Sequence, residues 1–538
     1  MTGRLFAAVD VGTGSARAAI FDASGALLAH AGRPIAMRGD PGGAAEQSSE
    51  GIWAAICAAL RDARAQAGAA PEDIAGLGFC ATCSLALRDA SGAPVGAGED
   101  GDPAWDVIAW CDHRAGAEAD AAQAAAARLH AEGRGPAPEA AGVASPEMQL
   151  PKLMHLKRRR PETWARAERI FDLADLLTWR ATGELRRAAC ALACKWGWSP
   201  ETGWPLALLE ALDLSDLPGR GGLPGGDAPG AADRAPAPVG ACIGRLSAQA
   251  AAETGLAPGA PVAAGQVDAY SGALGLLGEL SADALPRAAA LIAGTSSCIM
   301  HLSRAAFPAP GLWGPYPGVV LPGWSAAEGG QSASGALLDH VLRLSGLDPQ
   351  APGLHAEVAA RVQALLAAEG DGFGGEIHVL PDFNGVRSPR PDPAALGAAA
   401  GLSLERGFDA ACRLWWRSAV GLALGVREVI AHMDAQGRGP ERLILGGGHG
   451  RSPLLAQLYA DATGLPVVLG GHCGGMLRGA ALSAMAASGA APDVAAAARA
   501  TARPRPTLSP DPARAPRMAR DLAAQRILAE QRAKLAAL

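Results

Sequence analysis

Lysine is almost missing from this chain. Only Lys152, Lys157, Lys195 and Lys534 occur among 538 residues, and arginine supplies the other positive charges. A compact ammonium on a flexible stem does chemistry that a guanidinium does not. Each of the four is therefore a candidate for a lysine-specific task, or simply a chance survivor. A basic excess is missing too, because the net charge is −6. That argues against nucleic acid or anionic membrane as a partner. No apolar run reaches the roughly 20 residues of a membrane span. The start, Met1 to Asp10, lacks a charged segment followed by a secretory apolar stretch. Ten cysteines are scattered, and Cys80 and Cys83 have no second close pair to complete a metal-type set. These absences predict a cytoplasmic chain with reduced thiols.

What is present points to an α/β protein of more than one domain. The length predicts two or more domains, and 49% hydrophobic residues support sizeable cores. Phe6 to Val11, Ala16 to Asp22 and Ala26 to His30 read as successive strands joined by tight turns. Gln47 to Gln66 has helical apolar spacing, and Ile74 to Asp89 reads as strand, loop and strand. Gly219 to Pro238 is rich in Gly, Pro and Ala and reads as a long surface loop. The plan of Ala7 to Ile20 (apolar strand, Gly-Thr, small polar residues, apolar strand) recurs at Ala290 to Leu302. Each copy opens a half of similar size. Arg442 to Leu445 is a further strand, followed by a helix from Leu454 to Thr463. The chain from about Pro492 is Ala- and Arg-rich and is expected to be mostly helical after Pro510.

Three glycine-rich strand ends carry the first functional signal. Asp10 leads into Gly12, Thr13, Gly14 and Ser15, where small residues and hydroxyls can approach phosphate oxygens. Asp10 could hold Mg²⁺ directly or through water. The turn lacks the Gly-Lys-Ser/Thr of a P-loop and the third glycine of a dinucleotide site. An ordinary hairpin turn explains it equally well. Gly294, Thr295 and Ser296 form a second such turn, and Gly446, Gly447 and Gly448 a third. Three such ends in two halves suit a nucleotide held in an interdomain cleft. Phosphoryl transfer to a hydroxyl needs positioning, charge neutralisation and a base. Asp268 follows a strand and precedes small residues, so it suits either that base or a helix N-cap. Glu328 stands in Glu-Gly-Gly-Gln-Ser, which reads as a carboxylate on flexible backbone or as an ordinary loop acid. Lys195 lies beside Trp196, a pairing that suits a polyol. Asp112, His113 and Arg114 follow Trp110 and read either as part of the site or as a helix N-cap with solvated charges.

Taken together these segments resemble the FGGY family of carbohydrate kinases, and within it the pentulose kinases, especially D-ribulokinase-like members. The resemblance runs from Leu5 to about Gly489 through a dozen ordered blocks. They include AAVDVGTGSARAAIFD (7–22), GLGFCATCS (76–84), SPEMQLPKLMHLK (145–157), CKWGW (194–198), GQVDAYSGALG (265–275), AGTSSCIM (293–300), GLWGPY (311–316), EGGQSASG (328–335) and PDFNGVRSP (381–389). The resemblance implies an actin/hexokinase-like fold, with two ribonuclease-H-like domains flanking a cleft. It implies an N-terminal unit over 1–276, a C-terminal unit over 277–490 and a helical tail over 491–538. By position, Asp268 corresponds to the catalytic base, and Asp10 to Ser15 with Gly294 to Ser296 to the phosphate segments. Gly446 to Gly448 and Ser452 correspond to the adenosine segment. Thr82, Cys83, Lys195, Asp268 and Glu328 correspond to ketopentose-binding positions. ATP and Mg²⁺ are the implied cofactors, and a homodimer is a family habit that no sequence feature here argues for independently.

Four departures from the family pattern stand out. Cys80 replaces a usual Asp, which bears on sugar preference. Tyr270 replaces a usual His after Asp268-Ala269. Ser452-Pro453 replaces Asn-Pro, and Gly471-His472-Cys473-Gly474 replaces an acidic pair; both bear on nucleotide affinity. The leading expectation is phosphorylation of D-ribulose at O5. The alternatives are a kinase for L-ribulose, ribitol or another pentulose or polyol, a non-catalytic sugar or nucleotide sensor, and an actin-like ATPase.

Overall fold

Strand Leu5–Val11 is buried at every position after its first residue, as a central strand covered on both faces must be. It comes from a computed structural model that describes residues 4–40, 43–225, 235–306, 309–471 and 474–538. Leu5–Val11 pairs antiparallel with Ser15–Asp22, which pairs antiparallel with Leu27–Pro34. On its other side it runs parallel to Ile74–Ala81, followed by Pro261–Ala263 and Cys242–Arg245. The short strand Gln266–Val267 continues alongside Cys80 and Ala81. A second sheet repeats the arrangement around Ala288–Ala293. Ser297–Ser303 pairs antiparallel with it on one side and Ser325–Gln331 antiparallel with Ser297–Ser303, while Arg442–Gly446 and then Val467–Leu469 run parallel on the other. The short echo read in the sequence thus extends to five strands of each sheet.

Two helices lock the halves together. Helix Asp268–Leu277 leaves the first sheet and packs under the second, while helix Gly475–Ala487 lies against the first. The two pack closely because glycines face backbone. A Cβ on Gly479 would stand 1.9 Å from the carbonyl oxygen of Ser271, and one on Gly275 2.1 Å from that of Gly475. A third sheet of five strands, with helices Gly116–Ala131 and Gln149–Arg159, forms a lobe on the first half.

The structure differs from the sequence reading in several places. Glu328 sits inside strand Ser325–Gln331, not on flexible backbone. Its two glycines are there for packing: a Cβ on Gly330 would meet the Ser297 carbonyl oxygen at 2.2 Å. Asp112 caps no helix; it is buried, accepts from the Ala45 N–H at 2.9 Å and pairs with Arg114. Asp268 is the first helical residue, with Val267 in the cap position. The segment after Pro492 is more than a tail, since Thr507–Leu508 adds a strand to the second sheet. Helix Ala515–Ala536 then packs on helix Phe408–Ala435. Residues 226–234 of the expected loop, and His472 and Cys473, lie outside the described residues.

Candidate active site

Three strand ends of the first sheet meet at one wall of the cleft between the halves. The register pairs Asp10 with Arg17 on one side and with Cys80 on the other, and Cys80 with Gln266 beyond it. Asp268 follows two residues after Gln266. The cleft holds about 1220 Å³. Asp10 is buried, with Arg17 Nη2 2.6 Å from its Oδ2, and Cys80 Sγ lies 3.7 Å from its Oδ1. Burial pushes the Asp10 carboxyl up, and Arg17 pulls it part of the way back. Asp268 is part-exposed at the cleft wall and accepts from the Ala269 N–H at 2.7 Å. Low-dielectric surroundings, and after them the negative charge of Asp10, push its pKa up to about 6.

The predicted phosphate segments line this cleft. Gly12 closes the first turn by donating to the Ser15 carbonyl at 3.0 Å. Trp110 Nε1 donates to Thr13 Oγ1 at 2.9 Å, and Gln47 Nε2 to the Thr13 carbonyl at 2.8 Å, so the turn is braced from the lobe. Gly14, Ser15, Gly294, Thr295 and Ser296 also line it, as do Gly447, Gly448 and Ser452. Gly446 does not: it faces inward, where a Cβ would lie 2.9 Å from Leu276. Gly447 has φ +80° and lies against the Ala293 carbonyl, a place only glycine fills easily. Ser452 Oγ accepts weakly from the Leu455 N–H at 3.4 Å and so also caps helix Pro453–Thr463. Gln457 points away from the cleft, to Asp461 and the Ser509 carbonyl.

Thr82, Cys83, Lys195 and Glu328 line the same cleft, and the Thr82 N–H donates to the Val11 carbonyl at 2.9 Å, beside the first turn. Lys195 and Glu328 are both buried, with Lys195 Nζ 3.8 Å from Glu328 Oε2. Burial opposes both charges, yet each holds the other ionised. Glu328 lies below the usual carboxylate range, and Lys195 well above the usual ammonium range. Tyr270 donates from its hydroxyl to Glu328 Oε2 at 2.6 Å, and Cys298 Sγ stands 3.4 Å from Oε1. Lys195 is thus the lysine facing the cleft. Lys152 is buried and saturated by the carbonyls of Ala109, Trp110 and Glu147 at 3.0, 3.2 and 3.4 Å. Lys157 and Lys534 sit at the surface with carboxylate partners.

The wall also holds residues that the sequence argument assigned no role: Arg17, Trp110, Glu147, Trp313 and Arg387. Glu147, Trp313 and Arg387 fall within quoted blocks, and Arg17 opposite Asp10 was readable from the hairpin register. Cys80 is fully buried and does not line the cleft. Its thiol faces Asp10 at the back of the wall.

Residues 5–194 match the N-terminal domain of the FGGY family of carbohydrate kinases, and residues 289–488 the C-terminal domain. The chain belongs to this family. A human FGGY carbohydrate kinase domain-containing protein is 38% identical over 508 residues, covering 90% of this chain and 89% of that one. A D-ribulokinase of Saccharomyces cerevisiae is 31% identical over 503 residues, covering 87% of this chain and 69% of that one. Among solved structures, a xylulose kinase from Rhodospirillum rubrum superposes with a TM-score of 0.73 at 24% identity, over 98% of this chain and 99% of that one. The fold is accordingly the two-domain actin/hexokinase-like fold of FGGY kinases. Among the described residues, no helix is long and apolar enough to cross a membrane.

Proposed function

We propose that this FGGY kinase transfers the γ-phosphoryl group of ATP to O5 of D-ribulose, giving ADP and D-ribulose 5-phosphate. The observation that carries the reading is the position of Asp268. It lines the same cleft as three glycine-rich turns suited to a nucleotide and the Lys195–Glu328 pair suited to a polyol. The similarity to a D-ribulokinase supports the choice of sugar. Asp268 accepts the O5 proton as O5 bonds to the γ-phosphorus and the bond from phosphorus to the β–γ bridging oxygen breaks. The leaving electron pair stays on ADP. The hydroxyl-bearing turns at Thr13, Ser15, Thr295 and Ser296 bind phosphate oxygens, and Gly447, Gly448 and Ser452 border the adenosine. Lys195 and Glu328 bind the sugar hydroxyls with the backbone at Thr82 and Cys83. The halves form units over 1–276 and 277–490, and closure between them excludes water.

Magnesium fits this wall. Among the described residues no cluster of three or more His, Cys, Asp or Glu makes an all-protein cage. Mg²⁺ characteristically uses one or two carboxylates plus phosphates and water. Asp10 is buried and does not itself line the cleft, and Arg17, which does, stands with Nη2 2.6 Å from its Oδ2, so Asp10 would reach an ion through water or with Arg17 displaced. Asp10, through water, would hold the ion, which supplies charge neutralisation at the β- and γ-phosphates. Asp268→Asn should lower kcat by at least about 10²–10⁴-fold, the range for loss of a general base, and leave ATP binding within a few-fold. ADP release measured with D-ribulose, L-ribulose, D-xylulose, ribitol and glycerol tests both parts. Normal turnover by the variant would sink the assignment of Asp268, and sugar-independent release would favour an ATPase.

A further inference from the structure

At the sugar end of the cleft stand two buried charged residues, one from each half. Glu147 precedes helix Gln149–Arg159, and Arg387 follows strand His378–Leu380. Arg387 Nη2 donates to Glu147 Oε1 at 3.0 Å and to Oε2 at 3.1 Å. The rest of the guanidinium is under-used. Nη1 finds only Cys298 Sγ at 3.6 Å, and Nε is buried with no hydrogen-bond partner. Buried donors are normally satisfied, and leaving one unmade is unfavourable. Arg387 Cζ lies 4.9 Å from the Trp313 ring centre, and Lys195 Nζ lies 4.7 Å from the same ring. Arg387 therefore borders the same volume as Lys195 and Glu328, with donors to spare.

The charges at this end cancel. Lys195 is balanced by Glu328, and Arg387 by Glu147. Asp268 adds a further negative charge at the adjoining wall. A sugar acid entering here would bring a carboxylate to cations that already have carboxylate partners. A neutral polyol would bring oxygens that accept from Arg387 at no cost in charge. Resting on the kinase reading above, we infer that Arg387 donates to substrate hydroxyls. Glu147, by neutralising Arg387, makes the site select uncharged ketoses and polyols over sugar acids of the same length.

The test titrates the full chain, by tryptophan fluorescence and calorimetry, with D-ribulose, ribitol and D-ribonate, and follows ADP release in parallel. Wild-type protein should bind a neutral member and discriminate against ribonate by at least about 50-fold. Glu147→Gln leaves Arg387 without its counter-charge. It should weaken the neutral ligand and tighten ribonate, each by about 10-fold, moving the ratio about 100-fold. Glu147→Asp keeps the charge and should keep the wild-type ratio. Adding Arg387→Gln to Glu147→Gln should abolish the gained ribonate binding. Wild-type protein that phosphorylates a pentulose yet binds ribonate within threefold of it overturns the selectivity, with no variant needed. So does a Glu147→Gln ratio that stays at the wild-type value. Wild-type protein that binds ATP but none of the neutral ligands overturns this inference and the pentulose reading together.

Discussion

At the scale of single residues, the cleft wall is governed by carboxylates that influence one another. Asp268 has its pKa pushed up to about 6, first by burial and then by Asp10. A base must be ionised to accept a proton. Below pH 6 Asp268 is mostly protonated and above it mostly free. On the proposed mechanism kcat/KM should therefore rise with pH, about tenfold per unit on the acid side, and level off above about 6. A flat profile from pH 5 to 7.5 would remove Asp268 as the titrating base. Cys80 gives a way to move that limb. Its Sγ lies 3.7 Å from Asp10 Oδ1, behind the cleft lining. Cys80→Asp places a third carboxyl in this buried group, and like charges raise each other's pKa. The acidic limb should shift upward. An unmoved limb in a folded, active variant would show that Cys80 is electrostatically separate from Asp268.

At the scale of elements, register and close backbone approach decide which side chains meet. The hairpin of Leu5–Val11 with Ser15–Asp22 sets Arg17 opposite Asp10, and the parallel pairing with Ile74–Ala81 sets Cys80 on the other side. The antiparallel neighbours of Glu328 are Met300 and Trp313, and Lys195 meets Glu328 with Nζ 4.7 Å from the centre of that Trp313 ring. Gly447 shows what the proposed nucleotide end requires. At φ +80°, a Cβ there would stand 2.3 Å from the Ala293 carbonyl oxygen. Gly447→Ala should lower stability by about 1–3 kcal/mol, the usual size of such local strain. It should also weaken ATP binding at least several-fold, because the turn must shift. Thermal unfolding and an ATP titration read the two effects separately. Unchanged ATP affinity would mean that this turn does not border the nucleotide.

For the whole molecule, the C-terminal segment is part of the second half's framework. Arg417, in helix Phe408–Ala435, is buried and donates from both terminal nitrogens to Asp521 at 2.9 and 2.7 Å. Met518 and Leu522 of the same terminal helix are buried in the second core. Removing one partner of a buried pair leaves an uncompensated charge. Asp521→Ala should therefore cost about 3–5 kcal/mol, seen as a lower denaturation midpoint. A loss below 1 kcal/mol would mean that the helix is only loosely docked. The interlocked helices Asp268–Leu277 and Gly475–Ala487 join the halves near the cleft floor. Motion between the halves is thus expected about that pair, with Asp268 at its head.

Much of this was legible in the sequence. Periodicity and glycine-rich turns located the central strands, and the recurrence of one strand–turn–strand plan announced two similar halves. Asp10, Asp268, Lys195 and Glu328 could be singled out because scarce or charged residues beside small ones are chemically conspicuous. Local pattern could not say that Glu328 lies within a strand, since its glycines look like a loop until the neighbouring backbone that excludes a Cβ is seen. Nor could it show that Gly446 faces the core while Gly447 faces the cleft, or that Asp112 serves the lobe and caps no helix. Arg387 and Glu147 are 240 residues apart. Only the packing of one half against the other brings them together, and burial turns two ordinary surface-type charges into a matched pair. The sequence by itself determined the family, the strand ends and which carboxylates are candidates, because those depend on local residue type and spacing. The tertiary structure alone decided which charges cancel at the sugar end, because that depends on distance and on the loss of water.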